Sequence, residues 1–275
     1  MNLEELRQAS ESLPATRKMP VLFIGHGSPV NGIEDNLYTR GWREAVKDIP
    51  VPRAVVCISA HWLTRGTYVT AMDFPHTIHD FSGFQPELYQ VRYPAPGSPS
   101  VARELAGIHK PAVIGLDHEW GLDHGTWTVV RHMFPEASVP VLQLSIDYHR
   151  PGDHHYRLAG DLAALREKGI LFIGSGNMVH NLRMVAFDRL DQPGFGFDWA
   201  KEMNELFKLK IQEGDHRPLI DYQKLGKAAT LAVPTPDHYW PLIYTLGLAE
   251  KDENPVIFND HLVGGSLTMT SVRFG

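Results

Sequence analysis

Short, unbroken apolar runs recur along the chain, and stretches with helical spacing separate them. The runs cover residues 21–24, 54–60, 112–114, 139–146 and 170–173. They are continuous rather than alternating, which predicts strands covered on both faces. Between them, Ser98-Pro99 sets a capping hydroxyl before a proline at the first helical position. Residues 153–168 carry Leu158, Leu162 and Leu165 at helical spacing and stop at Gly169. Residues 198–212 place Met203, Leu206 and Phe207 on one side, and a further helix is predicted over about 239–246. Strands alternating with helices predict an α/β fold. Its central, largely parallel sheet is flanked by helices, with a ligand site at the carboxyl ends of the strands. Residues 1–18 are polar, with Leu3, Leu6 and Leu13 as their sizeable apolar side chains, and read as an N-terminal extension. No repeat or linker-like break divides residues 19–275, which read as a single domain.

Composition narrows the function. Of 275 residues, 43% are hydrophobic and 21% charged, which excludes wholesale disorder. Lys and Arg total 26 against 32 Asp and Glu, a net charge of −6 that gives no basic footprint for nucleic acid. No apolar run approaches the roughly 18 residues of a membrane span. The opening Met-Asn-Leu-Glu-Glu-Leu-Arg lacks a signal-peptide pattern, and a lone cysteine, Cys57, forms no internal disulfide. A cytoplasmic location is therefore expected, with Cys57 an inert core thiol. The outlying count is 15 histidines.

Several of those histidines stand just beyond apolar runs. His26 lies in Gly25-His26-Gly27-Ser28-Pro29, His61 in Ser59-Ala60-His61-Trp62, and His180 closes the turn that starts at Gly174. A fourth, His238, sits in Pro234-Thr235-Pro236-Asp237-His238-Tyr239. Singly, each also reads as a hydrogen-bonded structural residue. Together they suggest one metal held by three imidazoles with coordination positions left open. His124, between Asp123 and Gly125, reads as a substrate contact or as a turn residue packed on Trp127. His76 and His79 share an aromatic loop with Phe74, Phe81 and Phe84, a candidate pocket wall or lid. His109, His149, His154, His155 and His216 read as surface residues. The G-x-S-x-G elbow and the G-x-G-x-x-G fingerprint are both missing.

These motifs, together with Thr77-Ile78-His79-Asp80-Phe81, Tyr93-Pro94-Ala95-Pro96-Gly97 and Gly264-Gly265-Ser266-Leu267, resemble one family. It is the class III extradiol ring-cleavage dioxygenases, in their 4,5-DOPA dioxygenase branch. The resemblance runs from about Met19 to the C-terminal motif and makes residues 19–275 a catalytic domain. It implies His26 and His61 as metal ligands and His238 as the third. His180 matches an acid/base histidine close enough to the metal to ligate it, and His124 one that contacts the substrate hydroxyl or bound oxygen. The protocatechuate relatives use a glutamate where this chain offers His238 beside Asp237, so the site carries less negative charge. The implied cofactor is one divalent metal ion, Fe(II) for catalysis or Zn(II) as bound. The implied partners are a catechol such as L-DOPA and O2. Zinc has no accessible redox state, so two other readings stay open: a zinc-dependent hydrolase, and a chelatase-like metal- or tetrapyrrole-binding protein sharing the Gly-His-Gly-Ser tetrad.

Overall fold

A computed structural model describes residues 18–108, 114–190, 192 and 194–275 of the chain. Of the polar extension only Lys18 falls among them, and residues 109–113, with His109 and the start of one apolar run, lie outside. The strands are β1 (Val21–Gly25), β2 (Ala54–Ser59), β3 (Leu63–Thr64), β4 (Thr67–Thr70), β5 (Ile114–Asp117) and β6 (Val141–Gln143). They continue with β7 (Ile146–Asp147), β8 (Ile170–Gly176), β9 (Pro255–Phe258), β10 (Leu262–Val263), β11 (Leu267–Thr268) and β12 (Ser271–Phe274).

The central sheet runs β6-β2-β8-β1-β12-β9. Its first four strands are parallel to one another, and β12 lies antiparallel between β1 and β9. The largely parallel sheet read from the sequence is therefore present, with an antiparallel strand inserted near one edge. Continuous apolar strands serve two cores. Val21, Phe23, Val56, Ile58 and Phe172 face one, and Leu22, Ile24, Val55, Cys57 and Ile173 the other. The helices Pro99–Ile108, Gly152–Leu162, Asp198–Gln212 and Trp240–Leu248 supply apolar residues to the first core. Leu37–Glu44 and His124–Met133 cover the second with Trp42, Trp127 and Val130.

Local signals explain the boundaries. Asp198–Gln212 matches its prediction. The helix Gly152–Leu162 tightens to a 3-10 turn over Ala163–Lys168 and stops at Gly169, which takes the left-handed φ of 78°. The run at 139–146 divides into β6 and β7. Leu144, between them, donates its N–H to Cys57 O at 2.9 Å, after which β7 leaves the sheet to pair with β3. The helix Trp240–Leu248 is apolar nearly all round, as suits a helix buried on most sides.

Candidate active site

The chain delivers its histidines to the carboxyl ends of the parallel strands. His26 follows β1 and donates its N–H to Gly176 O at 3.0 Å. Gly27 then takes φ +63°, a left-handed turn natural to glycine. His61 lies two residues past β2, beside Ala60, whose N–H is donated to Ser175 O at 3.0 Å. His180 follows β8 and donates its N–H to Ala232 O at 2.8 Å. His238 reaches the cluster because the helix after it lies directly on β8. A Cβ on Gly174 would overlap the Pro241 carbonyl, and one on Gly176 the His238 carbonyl. That His238 oxygen also accepts the Asn177 N–H at 2.8 Å.

His124 is not a turn residue. It opens the helix His124–Met133, and the Asp123 cap accepts the Thr126 N–H at 3.1 Å. Its ring neighbours are His26, His61 and Phe81 rather than Trp127.

All five histidines singled out as site residues converge. The ring centroids of His26, His61 and His238 are 5.2, 5.3 and 4.9 Å apart. His124 packs beside His61 at 3.9 Å and lies 5.8 Å from His26. His180 stacks on His238 at 3.6 Å with 5° between the ring planes. Among the described residues, ligating atoms of His26, His61 and His124 lie within 4.8 Å of one another, as do those of His180, Asp237 and His238.

The hydrogen bonds behind the rings fix which nitrogens are free. Ser175 donates its hydroxyl proton to Gly125 O, so its oxygen accepts from His26 Nδ1 at 3.0 Å. His26 Nε2 is left unprotonated and faces His61 Nε2 at 3.4 Å. His238 Nδ1 lies 2.5 Å from Asp237 Oδ2, which again leaves Nε2 free. Burial, then the neighbouring imidazoles, hold His26 and His61 far below the ordinary histidine range. Burial and the adjacent His238 push His180 down to about 3. These three rings are neutral at pH 7.

Imidazole nitrogens brought this close together fit a cation. Nitrogens about 2.1 Å from one tetrahedral ion stand roughly 3.4 Å apart, with ring centroids about 5 Å apart. The ring centroids of His26, His61 and His238 have that separation, and the Nε2 atoms of His26 and His61 lie 3.4 Å apart.

Two carboxylates that the sequence reading gave no role complete the surroundings. Asp80 Oδ1 accepts the His124 N–H at 2.9 Å and lies 2.9 Å from His124 Nδ1, while Oδ2 is 3.4 Å from His61 Nδ1. The Nδ1 contact is close but not aligned as a hydrogen bond. Burial works against ionisation of Asp80, but His124 outweighs it and lowers the carboxyl. Asp123 is fully buried and accepts from Ser59 Oγ and Gln143 Nε2, each at 2.7 Å. Burial pushes its carboxyl up. It ties β2, β6 and the His124 helix together. The signals for both were short: a capping Asp before a helix, and an Asp in an aromatic loop.

The remaining histidines divide. His155 is a correction: it is fully buried, with Nδ1 3.0 Å from Tyr244 Oη, because it faces inward from Gly152–Leu162. His149 is exposed, and His154 and His216 are half-buried. Of the aromatic loop, Phe81 meets the His124 ring edge-on at 5.5 Å, whereas Phe74 is 84% exposed. Cys57 is a buried thiol, as read. A surface hollow of about 760 Å³ is lined around Tyr156, His216 and Glu253 and includes none of the five site histidines.

A histidine cluster at the strand ends of a largely parallel sheet is the architecture of a metal-dependent enzyme, and comparison with known proteins assigns the class. Residues 21–275 match the family model described as the catalytic LigB subunit of aromatic ring-opening dioxygenase, and the chain belongs to that family of extradiol ring-cleavage dioxygenases. It is 46% identical to the 4,5-DOPA dioxygenase extradiol of Escherichia coli (strain K12), across 95% of this chain and 96% of that one. Identity to the 4,5-DOPA dioxygenase extradiol of Beta vulgaris is 35%, across 92% and 95% of the two chains. A crystal structure of an uncharacterized protein from Escherichia coli K12 superposes with a TM-score of 0.81 at 42% identity, covering 94% of this chain and all of that one. The hydrolase and chelatase readings lose their ground with that membership. The reaction takes a small aromatic molecule and O2. Among the described residues no helix is long and apolar enough to cross a membrane.

Proposed function

We propose that this dioxygenase opens the ring of a catechol such as L-DOPA, with His26, His61 and His238 holding one divalent metal ion. The observation that carries the reading is the 3.4 Å approach of His26 Nε2, an unprotonated nitrogen, to His61 Nε2, with the His238 ring centroid 5.3 and 4.9 Å from those of the two rings. With both rings protonated at Nδ1, a shared cation would accept both Nε2 lone pairs. Fe(II) bound there would acidify the catechol hydroxyl and couple the ring electronically to O2, whereas Zn(II) fits the same donors without that redox capacity.

The protein's own groups move the protons. His180 is neutral at pH 7 and stacked on a ligand ring, which gives it a free lone pair for the second catechol proton; its lowered pKa makes it a weak base that readily returns that proton. His124 turns Nδ1 toward Asp80, which leaves Nε2 for the substrate hydroxyl or oxygen. Phe81 walls the His124 side and limits water there. L-DOPA as substrate rests on the names of the similar chains from Escherichia coli and Beta vulgaris. We also take residues 19–275 as one catalytic unit and place it in the cytoplasm, since the buried Cys57 needs no oxidising compartment.

The test is anaerobic reconstitution with Fe(II), then oxygen-electrode assays with a catechol panel that includes L-DOPA. Oxygen uptake with a yellow product, lost with chelator and not restored by Zn(II), is expected. Iron-loaded protein that consumes no oxygen with any catechol overturns the reading.

A further inference from the structure

Beside the imidazoles stand two carboxylates. Asp80 Oδ2 is 3.4 Å from His61 Nδ1, and the opposite nitrogen of that ring faces His26. The same carboxylate reaches His124 Nδ1 at 2.9 Å through Oδ1. Asp237 Oδ2 is 2.5 Å from His238 Nδ1. His26 has only the neutral Ser175 oxygen behind it, at 3.0 Å. Two of the three proposed ligands therefore have an anionic partner and one a neutral partner.

Charge makes that distribution consequential. Three neutral imidazoles leave a divalent ion at its full charge, whereas the two-histidine, one-carboxylate set common to non-haem Fe(II) oxygenases cancels one unit directly. We propose that Asp80 and Asp237 are positioning residues that return negative charge to an all-histidine metal site from one imidazole away. Each holds its ring with Nδ1 protonated and Nε2 aimed inward, and each makes that ring a more basic ligand. The inference rests on the metal reading proposed above for the same site.

Asp80→Asn and Asp237→Asn test it, with the exposed Asp188→Asn as a charge control. Each apo protein is titrated anaerobically with Co(II), read by visible absorption and by competition with a chelator. Each site variant is expected to bind Co(II) about 10–100-fold more weakly than wild type, with the control unchanged. The apo proteins should melt within a few degrees of one another, since asparagine keeps the shape of aspartate and one acceptor oxygen. In the iron-loaded proteins the Fe(III)/Fe(II) midpoint should move positive in both site variants. Folded variants with wild-type Co(II) affinity and an unmoved iron potential overturn the inference and leave the metal reading standing. Wild-type protein that takes up no Co(II) overturns both. If Asp80→Asn does not fold, Asp237→Asn decides by the same criteria.

Discussion

The Ser175 hydroxyl oxygen lies 3.0 Å from His26 Nδ1 while its own proton goes to the Gly125 carbonyl. One serine on β8 thereby sets the tautomer of a histidine beyond β1 and anchors the first turn of the His124 helix. Ser175→Ala removes the acceptor and lets His26 turn or change tautomer. Metal affinity should fall by about 10-fold or more, as is usual for partners behind a ligand. Isothermal titration of the apo protein checks it, and an unchanged affinity refutes the tautomer argument.

His180 and His238 stack in contact but have different work. His180→Ala should lower kcat by about 10²–10⁴-fold, the usual range for a general acid/base, while metal uptake stays near wild type. His238→Ala should lose the metal. Metal analysis beside oxygen-uptake kinetics separates the two, and a His180→Ala protein that cannot hold metal would make His180 a ligand.

Gly125 lies where the His124 helix crosses β2. A Cβ there would press on Ser59 Oγ and sit 2.9 Å from His61 Cδ2. Gly125→Ala should displace His61, weaken metal binding and cost about 1–3 kcal/mol of stability through overpacking. Gly107→Ala is the contrast, since its Cβ meets nothing within 4 Å. That helical change should be neutral or stabilising by up to about 1 kcal/mol. Thermal melts and metal titration of both variants decide it.

Glu253 supplies a pH-dependent clamp far from the histidines. Burial raises its carboxyl pKa, but Arg166, the Glu250 N–H and Lys18 outweigh burial and hold it at about 2. Its Oε2 and Oε1 accept from the buried Arg166 guanidinium at 2.7 and 2.6 Å. The folded value lies below the ordinary 4.5. The contribution is therefore complete above pH 4.5 and lost as pH falls toward 2, an effect of about 2 kcal/mol. Urea melts of wild type and Glu253→Gln should converge as pH drops through that window. A gap that stays constant from pH 7 to 3 refutes the assignment.

The α/β class, the buried parallel strands and the positions of His26, His61 and His180 were legible because each depends on local order. An unbroken apolar run must be covered on both faces, and the residue after such a run comes out at the strand end. Asp198–Gln212 and the stop at Gly169 were legible for the same reason: spacing and a glycine act within a few residues. The motif resemblance implied roles for His124 and His238, which spacing alone left open. The C-terminal strands β9 and β12 were missed, and the antiparallel insertion of β12 beside β1 was not legible because that partner lies more than 200 residues away in the chain. His155 was misread as exposed because its polar neighbours say nothing about which face of its helix points inward.

The sequence by itself determined the kinds of side chain available and which strand end each follows, since those are fixed by covalent order and hydrophobic period. The tertiary structure alone decided that His26 Nε2 meets His61 Nε2, that Gly176 lets His238 close over β8, and that Asp80 serves two rings at once. Hydrogen bonding and charge act through space over a few ångströms. The chain distance between those residues carries no trace of that proximity.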